Sequence, residues 1–332
     1  MRSRYFIVIA STLLLVGLAA GQLWPRGTSL GPLLNRDENG IWLDVVWVSR
    51  EQSEDDITGL VHDLRAKGFR YAYVYVNSVQ ASGKPRSETY ACARRFVDIA
   101  KQAEPELQLI AWIGVVNVAR GQGLVDLGDT TVRANLAAFC GELVHDIGFD
   151  GVQLNVEPLP RGSESYLTLL KEVRGALGSQ KTLAVAGHKW APAYLPFLDQ
   201  VSSYWDSQYY HQVGLLVDQV AMMAYDTYMP TALAYRLYVR EETLGVLRAL
   251  ENTGTKVLIG IPTYDEPRLN HQPEAENVES GLTGVLDALA RLGPAKRGDF
   301  AGVAIYPNWE TDQAEWGIYA RLWQGEPQPA NP

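Results

Sequence analysis

The segment 150–157 combines residue types that could carry out acid–base chemistry. It reads Asp-Gly-Val-Gln-Leu-Asn-Val-Glu, so the polar residues Gln153, Asn155 and Glu157 alternate with aliphatic ones. Because side chains along a β-strand point to opposite faces with a period of two, the three polar groups share one face. A carboxylic acid can donate a proton to a leaving group, and an amide can hold a substrate by hydrogen bonds without ionising. Glu157 is therefore the first candidate for a general acid.

The environment of this strand decides how the polar row is interpreted. A strand on the surface of an antiparallel sheet would show the same alternation, with its polar face in water. The segments before and after 150–157 have helical patterns, which favours a parallel strand inside a β/α repeat, where both faces are covered. A covered polar row costs desolvation energy unless its groups are used. We therefore interpret this face as part of a functional site, with Glu157 beside an apolar lattice that suits a proton donor.

The rest of the chain alternates strand-like and helix-like segments. Eight such units in one chain favour a closed (β/α)8 TIM barrel. The alternative, a doubly wound open sheet, would normally carry a glycine-rich turn after its first strand, and Val48-Ser49-Arg50-Glu51 is not one. The predicted strands are Ile41–Val48, Tyr71–Val76, Leu107–Val115, Val152–Val156, Thr182–Ala186, Gln219–Ala224, Val257–Ile261 and Gly302–Tyr306.

In such barrels the chemistry lies at the carboxyl ends of the strands, and here those ends carry polar or aromatic residues. Tyr225 and Asp226 end the sixth strand, where a phenol and a carboxylate could orient a substrate amide or hydroxyl. His188 and Lys189, at the end of the fifth strand, are either substrate contacts or a solvent-facing pair. The candidate substrate-binding residues are Gln153, Trp190, Tyr264, Tyr306 and Trp309.

Three segments, in chain order, resemble the signatures of glycoside hydrolase family 18, the chitinase-like barrels. The segment 150–157 resembles the D-G-x-D-x-D-x-E signature of that family. Met223-Ala224-Tyr225-Asp226 is similar to its M-x-Y-D motif, and the segment 258–264 is similar to its L-G-[IV]-P-x-Y motif. The resemblance implies a divergent member of the family, with the same TIM barrel and a glycan as substrate.

The resemblance also implies a substrate-assisted mechanism, which differs from the usual two-carboxylate glycosidase. Glu157 would protonate the glycosidic oxygen, and the substrate's own acetamido group would attack the anomeric carbon. Tyr225 would hydrogen-bond the acetamido oxygen, and Asp226 would support the sugar. Tyr306 or Trp309 would form an aromatic floor beneath the reacting sugar.

The sequence departs from the family signature at two positions, where Gln153 and Asn155 replace aspartates. Asn155 can still hold an acetamide N–H through its side-chain carbonyl. Without the negative charge of an aspartate, however, it would stabilise the cationic intermediate less, by about a few kcal/mol in such sites. The alternatives are a slower hydrolase, an enzyme for a different N-acetylated glycan, and a noncatalytic glycan-binding protein of the cell envelope. Retention of Glu157 favours an enzyme. Two further functions stay open. One is a retaining glycosidase with Asp226 or Asp265 as the nucleophile, and the other is a scaffold protein of the cell envelope.

The N-terminus predicts export. Arg2 and Arg4 precede an uncharged apolar run over 5–23, which is typical of a signal peptide or an uncleaved membrane anchor. We therefore divide the chain into a signal or anchor over 1–24, a linker over 25–39, a barrel over 40–326 and a tail over 327–332. The barrel would be secreted, periplasmic or anchored outside the cytoplasm, with membrane contact only through the N-terminal segment.

Composition narrows the possible partners. The net charge is −9 and no long basic run is present, which disfavours nucleic-acid binding. Cys92 and Cys140 are predicted as separate apolar residues of helices rather than as a disulfide, and the five histidines lack metal-ligand spacing. We expect a monomer without metal or cofactor. By analogy with the family and the compartment, its partner would be peptidoglycan or another N-acetylhexosamine polymer.

Overall fold

The computed structural model describes residues 31–118, 123–192, 204–293, 297 and 299–325. The predicted signal or anchor, the first part of the linker and the C-terminal tail lie outside the described residues. Among the helices that are described, none combines the length and the apolar character needed to cross a lipid bilayer.

The fold is the predicted (β/α)8 barrel. Eight parallel strands close in the order β1-β2-β3-β4-β5-β8-β9-β10, and β10 pairs with β1. The barrel strands are β1 Asn39–Leu43, β2 Phe69–Ser78, β3 Gln108–Val116, β4 Gly151–Glu157, β5 Thr182–Gly187, β8 Gln219–Met223, β9 Lys256–Pro262 and β10 Phe300–Tyr306. A separate two-stranded sheet joins β6 Lys189–Ala191 to β7 Tyr204–Asp206.

Helices surround the barrel, and most begin at a polar side chain that accepts a hydrogen bond from a backbone N–H of the first turn. The helices are α1 Gly31–Leu34, α2 Val46–Ser49, α3 Glu54–Ala66, α4 Ala93–Ala103, α5 Thr130–Glu142, α6 Glu164–Leu177, α7 Ser207–Gly214, α8 Ala232–Ala249, α9 Val278–Arg291 and α10 Gln313–Tyr319. A 3₁₀ turn spans Ser87–Tyr90, and π-helical turns span Leu143–Ile147 and Ala320–Gln324. The capping residues are Ser53, Asp129, Ser163, Asp206, Thr231, Asn277 and Asp312.

The first strand is shorter than the sequence pattern predicts. β1 ends at Leu43, and the apolar run that follows forms α2 instead of continuing the strand. Asp44 causes the change, because its Oδ1 accepts a hydrogen bond of 2.7 Å from the N–H of Val46 and starts a turn. Trp47 then packs against Phe96 of α4, with ring centroids 6.2 Å apart. Tertiary packing has thus overridden the strand preference of a β-branched run.

The segment between β5 and β8 also differs from its prediction. The sequence pattern over 193–217 predicts a helical region, either continuous or broken, but the described part from 204 onwards begins with the short strand β7, which α7 follows. Cys92 and Cys140 are both free thiols, in agreement with the preferred interpretation of two separate cysteines.

The strand alternation predicted for β4 is confirmed. Val152, Leu154 and Val156 are buried in the outer core between the sheet and the helices. Gln153 faces the barrel lumen, where its Oε1 accepts a hydrogen bond of 2.7 Å from Trp42 Nε1. The inner core of the lumen consists of Trp42, Tyr71, Tyr73, Ile110, Trp112, Ala184, Ala221, Leu258, Ala301 and Ala304. One face of β4 therefore stabilises the barrel wall and the other reaches into the lumen.

Replacing Gln153 by alanine should destabilise the fold. Trp42 Nε1 would lose its acceptor in a buried site, which costs about 2 kcal/mol, and the missing side chain would leave a void. Chemical denaturation should show this loss in the free energy of unfolding. Gln180→Ala, at an exposed position, is the control. A loss below about 0.5 kcal/mol for Gln153→Ala would show that the lumen hydrogen bond contributes no more than a surface contact.

Candidate active site

A cleft with a volume of about 160 Å³ opens at the carboxyl ends of the barrel strands. Its position agrees with the expectation that polar and aromatic strand ends form one site. The cleft is lined by Trp112, Asn155, Glu157, Lys189, Met223, Tyr225, Asp226, Tyr264, Arg268, Tyr306 and Glu310.

β4 delivers the amide and the candidate acid. Asn155 pairs in register with Gly114 and Glu157 with Val116, so both lie near the upper edge of the sheet. Asn155 is half-buried, whereas Glu157 is exposed. The apolar enclosure expected around Glu157 is therefore absent in the described structure, because Glu157 is the last residue of the strand and extends past the packed core. Its side chain is free to meet a substrate.

Two buried polar atoms in the cleft have no hydrogen-bond partner among the described residues. They are Oδ1 of Asn155, an acceptor, and Nε1 of Trp112, a donor. A buried polar atom without a partner costs about 1–3 kcal/mol, so such atoms are normally satisfied by water or by a ligand. The pair therefore offers one acceptor and one donor to a molecule in the cleft.

Aromatic residues form the opposite wall. The rings of Tyr225 and Tyr306 stack with centroids 5.0 Å apart and planes inclined by 9°. Burial, followed by the neighbouring Tyr306 phenol and the carboxylates of Glu157 and Asp226, raises the pKa of Tyr225 well above its usual value. Burial is also the main cause that raises the pKa of Tyr306, to about 12. Both phenols are therefore neutral hydrogen-bond donors at physiological pH.

Asp226 follows Tyr225 at the end of β8 and is held by two neighbours. The Tyr264 hydroxyl donates a hydrogen bond of 2.7 Å to Asp226 Oδ1. The Lys189 ammonium donates one of 2.9 Å to the Asp226 backbone carbonyl. Burial lowers the pKa of Lys189, and the carboxylates of Asp226 and Glu157 act in the opposite direction. Lys189 thus lies beside Asp226 and Glu157, two of the three carboxylates that line the cleft.

Most of the residues chosen from the sequence meet in this cleft. Asn155, Glu157, Tyr225, Asp226, Tyr264 and Tyr306 all line it. Trp309 lies at the rim, 42% exposed, with its ring edge-on to Tyr306 at 6.0 Å.

The structure does not bring Gln153 and Trp190 to the cleft. Gln153 is fully buried below it and uses its Oε1 for Trp42. Trp190 packs on α8, where a Cβ added at Gly245 would lie 2.2 Å from its ring, and its Nε1 donates to Ser207 Oγ. Since side chains alternate along β6, Lys189 and Trp190 face opposite sides, and Lys189 is the one that faces the cleft.

Several lining residues were not chosen from the sequence. Trp112 and Met223 lie on barrel strands, and strand alternation could have identified them as lumen-facing. Arg268 and Glu310 come from loops after β9 and β10, and a loop path cannot be read from periodicity. Of the two carboxylates considered as nucleophiles, Asp226 lines the cleft and Asp265 is not among the lining residues.

A larger cavity, of about 730 Å³, lies at the opposite end of the barrel. The starts of several strands line it, including Tyr71, Gln108 and Gln219. Its carboxylate, Asp218, is engaged by Arg174 and by the N–H of Leu183. The smaller cleft is the better candidate for the chemistry, because the exposed carboxylate Glu157 lines it together with Asn155 and Trp112, which carry the unpartnered buried atoms.

A family model described as glycosyl hydrolases family 18 matches residues 47–321. The chain belongs to glycosyl hydrolase family 18. A comparison with curated protein sequences finds no significant match.

Solved structures of the same fold include several glycosidases. The spore cortex-lytic enzyme SleL of Bacillus cereus is similar with a TM-score of 0.59 and 13% identity, over 86% of this chain and 74% of that one. A chitinase of Chromobacterium violaceum is similar with a TM-score of 0.58 and 14% identity, over 87% of this chain and 98% of that one. A class V chitinase of Pseudomonas fluorescens is similar with a TM-score of 0.55 and 16% identity, over 87% of this chain and 99% of that one. At these identities the likenesses show the fold alone.

Membership in family 18 supports glycoside hydrolysis or glycan binding as the general activity of this chain. The two positions at which this family 18 chain departs from the D-G-x-D-x-D-x-E signature lie on the same face of β4. Gln153 is in the lumen and Asn155 is one pleat higher, at the cleft. Of the two divergent positions only Asn155 lines the cleft, and the glutamate of the signature is retained there as Glu157.

Glu242, on α8, connects the cleft to the helix layer behind it. Its Oε2 accepts a hydrogen bond of 2.6 Å from the N–H of Trp190, the residue after Lys189. Burial raises the pKa of Glu242 to about 8, although the Trp190 N–H and Lys189 lower it. The protonated form is therefore favoured in the folded protein at neutral pH.

This raised pKa predicts a pH-dependent stability. The unfolded chain releases the Glu242 proton near 4.5 and the folded chain near 8, so the folded state binds more protons between these values. Its stability should fall by about 1–3 kcal/mol as pH rises from about 5 to 8. Glu242→Gln keeps an acceptor for Trp190 and should flatten this slope in unfolding experiments. Glu251→Gln, at an exposed position, should leave it unchanged, and equal slopes for all three proteins would contradict the assignment.

Proposed function

We propose that the chain is a glycoside hydrolase that cleaves a glycan containing N-acetylhexosamine, with Glu157 as the general acid. The observation that carries the proposal is the arrangement on one face of β4. The exposed carboxyl group of Glu157 lies next to Asn155, whose buried Oδ1 has no partner among the described residues. An acetamide N–H would satisfy that oxygen, and a glycosidic oxygen could then face the acid.

In the proposed reaction the substrate supplies its own nucleophile. Glu157 donates a proton to the glycosidic oxygen as the bond to the anomeric carbon breaks, and the acetamido oxygen attacks that carbon. The neutral phenol of Tyr225 donates a hydrogen bond to the acetamido oxygen, and Asn155 accepts one from its N–H. Glu157, now a carboxylate, takes a proton from the water that opens the cyclic intermediate. Asp226 binds a sugar hydroxyl, and Tyr306 and Trp309 supply aromatic surface.

The charge pattern of the cleft argues for slow turnover. The cyclic oxazolinium intermediate is cationic, and Asn155 offers it a dipole in place of a negative charge. The amine of Lys189, which donates to the Asp226 carbonyl at 2.9 Å, adds a positive charge nearby whenever it is protonated. Both features raise the energy of a cation in a site of low dielectric constant.

The same pattern favours a second candidate, a noncatalytic glycan-binding protein of the cell envelope. Binding a neutral acetamide requires the unpartnered Asn155 oxygen and the aromatic wall but no cationic intermediate. Retention of an exposed Glu157 in the cleft argues for hydrolysis as the first choice. The two functions differ in turnover and share the same ligand.

We further propose that the protein is exported and acts as a monomer outside the cytoplasm. Arg2 and Arg4 followed by the apolar run 5–23 support a signal peptide or an anchor. An extracellular location would make peptidoglycan or another N-acetylhexosamine polymer the available substrate. Cell fractionation with N-terminal sequencing of the mature protein tests this, and an unprocessed chain in the cytoplasm would contradict it.

Glu157→Gln should abolish hydrolysis. The purified protein and the variant are compared for release of reducing ends from chitin oligomers, peptidoglycan and N-glycans. Loss of the proton donor should lower the rate at least about 100-fold on the substrate that the wild type cleaves. Asp265→Asn, outside the lining of the cleft, should retain full activity. Turnover by neither wild type nor variant, with binding by both, would favour the glycan-binding protein.

Asn155→Asp should increase turnover. The new carboxylate would stabilise the cationic intermediate, and we expect about a 10- to 100-fold rise in kcat on an N-acetylhexosamine substrate. Asn252→Asp adds the same charge at an exposed turn and should leave kcat on that substrate unchanged. An unchanged or lower kcat for Asn155→Asp would show that position 155 does not contact the reacting acetamide.

A further inference from the structure

A buried ion pair lies behind the cleft, in the loop that follows β9. The side chains of His271 and Glu276 are both fully buried, and His271 Nδ1 lies 3.3 Å from Glu276 Oε2. The other ring nitrogen, Nε2, lies 3.0 Å from the backbone carbonyl oxygen of Tyr264. Neither residue lines the cleft or belongs to the proposed reaction.

The hydrogen bonds determine the protonation state of this pair. A backbone carbonyl can only accept, so His271 Nε2 carries a proton. Glu276 already accepts two hydrogen bonds from Thr227, from its N–H at 2.9 Å and from its hydroxyl at 2.7 Å. A carboxyl group that accepts from several donors is stabilised in its ionised form, which leaves His271 Nδ1 to donate. With both nitrogens donating, His271 is an imidazolium.

The pair connects the ends of two barrel strands. Glu276 binds Thr227, the residue after Asp226, and His271 binds the carbonyl of Tyr264. The Tyr264 hydroxyl in turn donates to Asp226 Oδ1, and its ring lies on the His271 ring with centroids 4.1 Å apart. The contacts form a closed circuit through β8 and β9. We call these five residues the loop clamp: Asp226, Thr227, Tyr264, His271 and Glu276.

The clamped loop has a backbone that needs support. Asp226 has φ of 57° and Tyr228 has φ of 62°, a left-handed conformation that costs a residue with a side chain about 1–2 kcal/mol. A hydrogen bond of 2.9 Å from the Tyr228 N–H to the Asn270 carbonyl adds a further tie to the β9 loop. The clamp and this hydrogen bond therefore both connect the turn at 226–228 to the loop after β9.

We propose that His271 is a positioning residue, which as a buried imidazolium paired with Glu276 holds Asp226 and Tyr264 in the geometry that binds glycan. The effect on glycan binding rests on the proposed function. The role of His271 in holding the loop rests only on the contacts above. Deprotonation of His271 would remove the donor to Glu276 and leave a buried carboxylate without its counter-charge, which is strongly unfavourable.

The groups around His271 set the direction of its titration. Burial by itself lowers the pKa of His271, but the hydrogen bonds to Glu276 and to the Tyr264 carbonyl, with the charges of Glu276 and Asp226, raise it above 6.5 overall. Tyr264 and Tyr235, which also face the pair, have pKa values raised mainly by burial and stay neutral. Arg268 lies 5.6 Å above the Tyr264 ring, and Lys189, whose pKa is lowered by burial, is close enough to interact with the Glu276 carboxylate. The stabilisation by the clamp is therefore complete below pH 6.5 and is lost as pH rises through the higher pKa of folded His271.

The first test is histidine NMR on the full-length protein labelled with 15N-histidine. The chain has five histidines, and His271→Asn assigns the resonance. We expect His271 to carry protons on both ring nitrogens at pH 7 and to titrate above 6.5, and Glu276→Gln should lower its titration point. A neutral ring at pH 6, or a titration point that Glu276→Gln leaves unchanged, would overturn the clamp. If His271→Asn fails to fold, single Asn variants of the other four histidines assign their resonances, and the wild-type resonance of His271 is identified by elimination.

The second test is binding of chitotetraose in the Glu157→Gln background, which removes turnover from the measurement. His271→Asn should raise the Kd roughly tenfold, and the Kd of the parent protein should rise with the same midpoint as the His271 titration. His62→Asn, on the outer face of α3, should stay within about twofold. A Kd that is flat across the midpoint would overturn the positioning role.

The two proposals fail in different ways. If the parent protein binds none of chitotetraose, peptidoglycan fragments and N-glycans, the proposed function fails. The free energy of unfolding, measured between pH 6 and 9, then tests whether the loop clamp exists. It should fall with rising pH in the wild type, and its slope against pH should be smaller in His271→Asn. Equal slopes in the two proteins would overturn it.

Discussion

Closure of the parallel sheet forces every second side chain of each strand into a lumen that is packed with protein, and the rest of the structure depends on this constraint. A polar side chain in that lumen must find a partner or cost free energy. The Oε1 of Gln153 finds one in Trp42, deep in the lumen, while its Nε2 has no partner among the described residues. Asn155, on the same face but nearer the rim, has an oxygen without a partner in the described structure. The depth of a residue along one strand thus separates a structural amide from a candidate ligand-binding amide.

The cleft above the lumen is a balance of charges rather than a simple acidic site. Glu157 and Asp226 lie beside Lys189, whose pKa is lowered by burial and whose amine donates a hydrogen bond to the Asp226 carbonyl. Arg268 and Glu310 also line the cleft. A neutral phenol wall, formed by the stacked rings of Tyr225 and Tyr306, completes the cleft. Such a site favours neutral polar ligands, which agrees with a sugar acetamide, and it stabilises a cationic intermediate less than a carboxylate at position 155 would.

Loops decide how well this arrangement is maintained. Asp226 lies in a left-handed conformation just past the end of β8, where the sheet no longer imposes its geometry. The β9 loop supplies Tyr264, His271 and Glu276, which fix the β8 loop from behind. Contacts between loops that follow neighbouring strands can therefore control a site without touching a ligand. The same logic applies on the other side of the cleft, where Glu242 binds the backbone of Trp190 beside Lys189.

The sequence by itself determined the eightfold β/α pattern, the polar face of β4 and six residues that meet in the cleft, because strand periodicity and strand order follow from local patterning. It overextended the first strand, since the turn at Asp44 depends on one side-chain hydrogen bond. It also named Trp190, which packs on α8, while Lys189 faces the cleft. Only the tertiary structure decided the depth of Gln153, the loop residues Arg268 and Glu310, and the pairing of His271 with Glu276. These depend on contacts between segments distant along the chain, which no local pattern encodes.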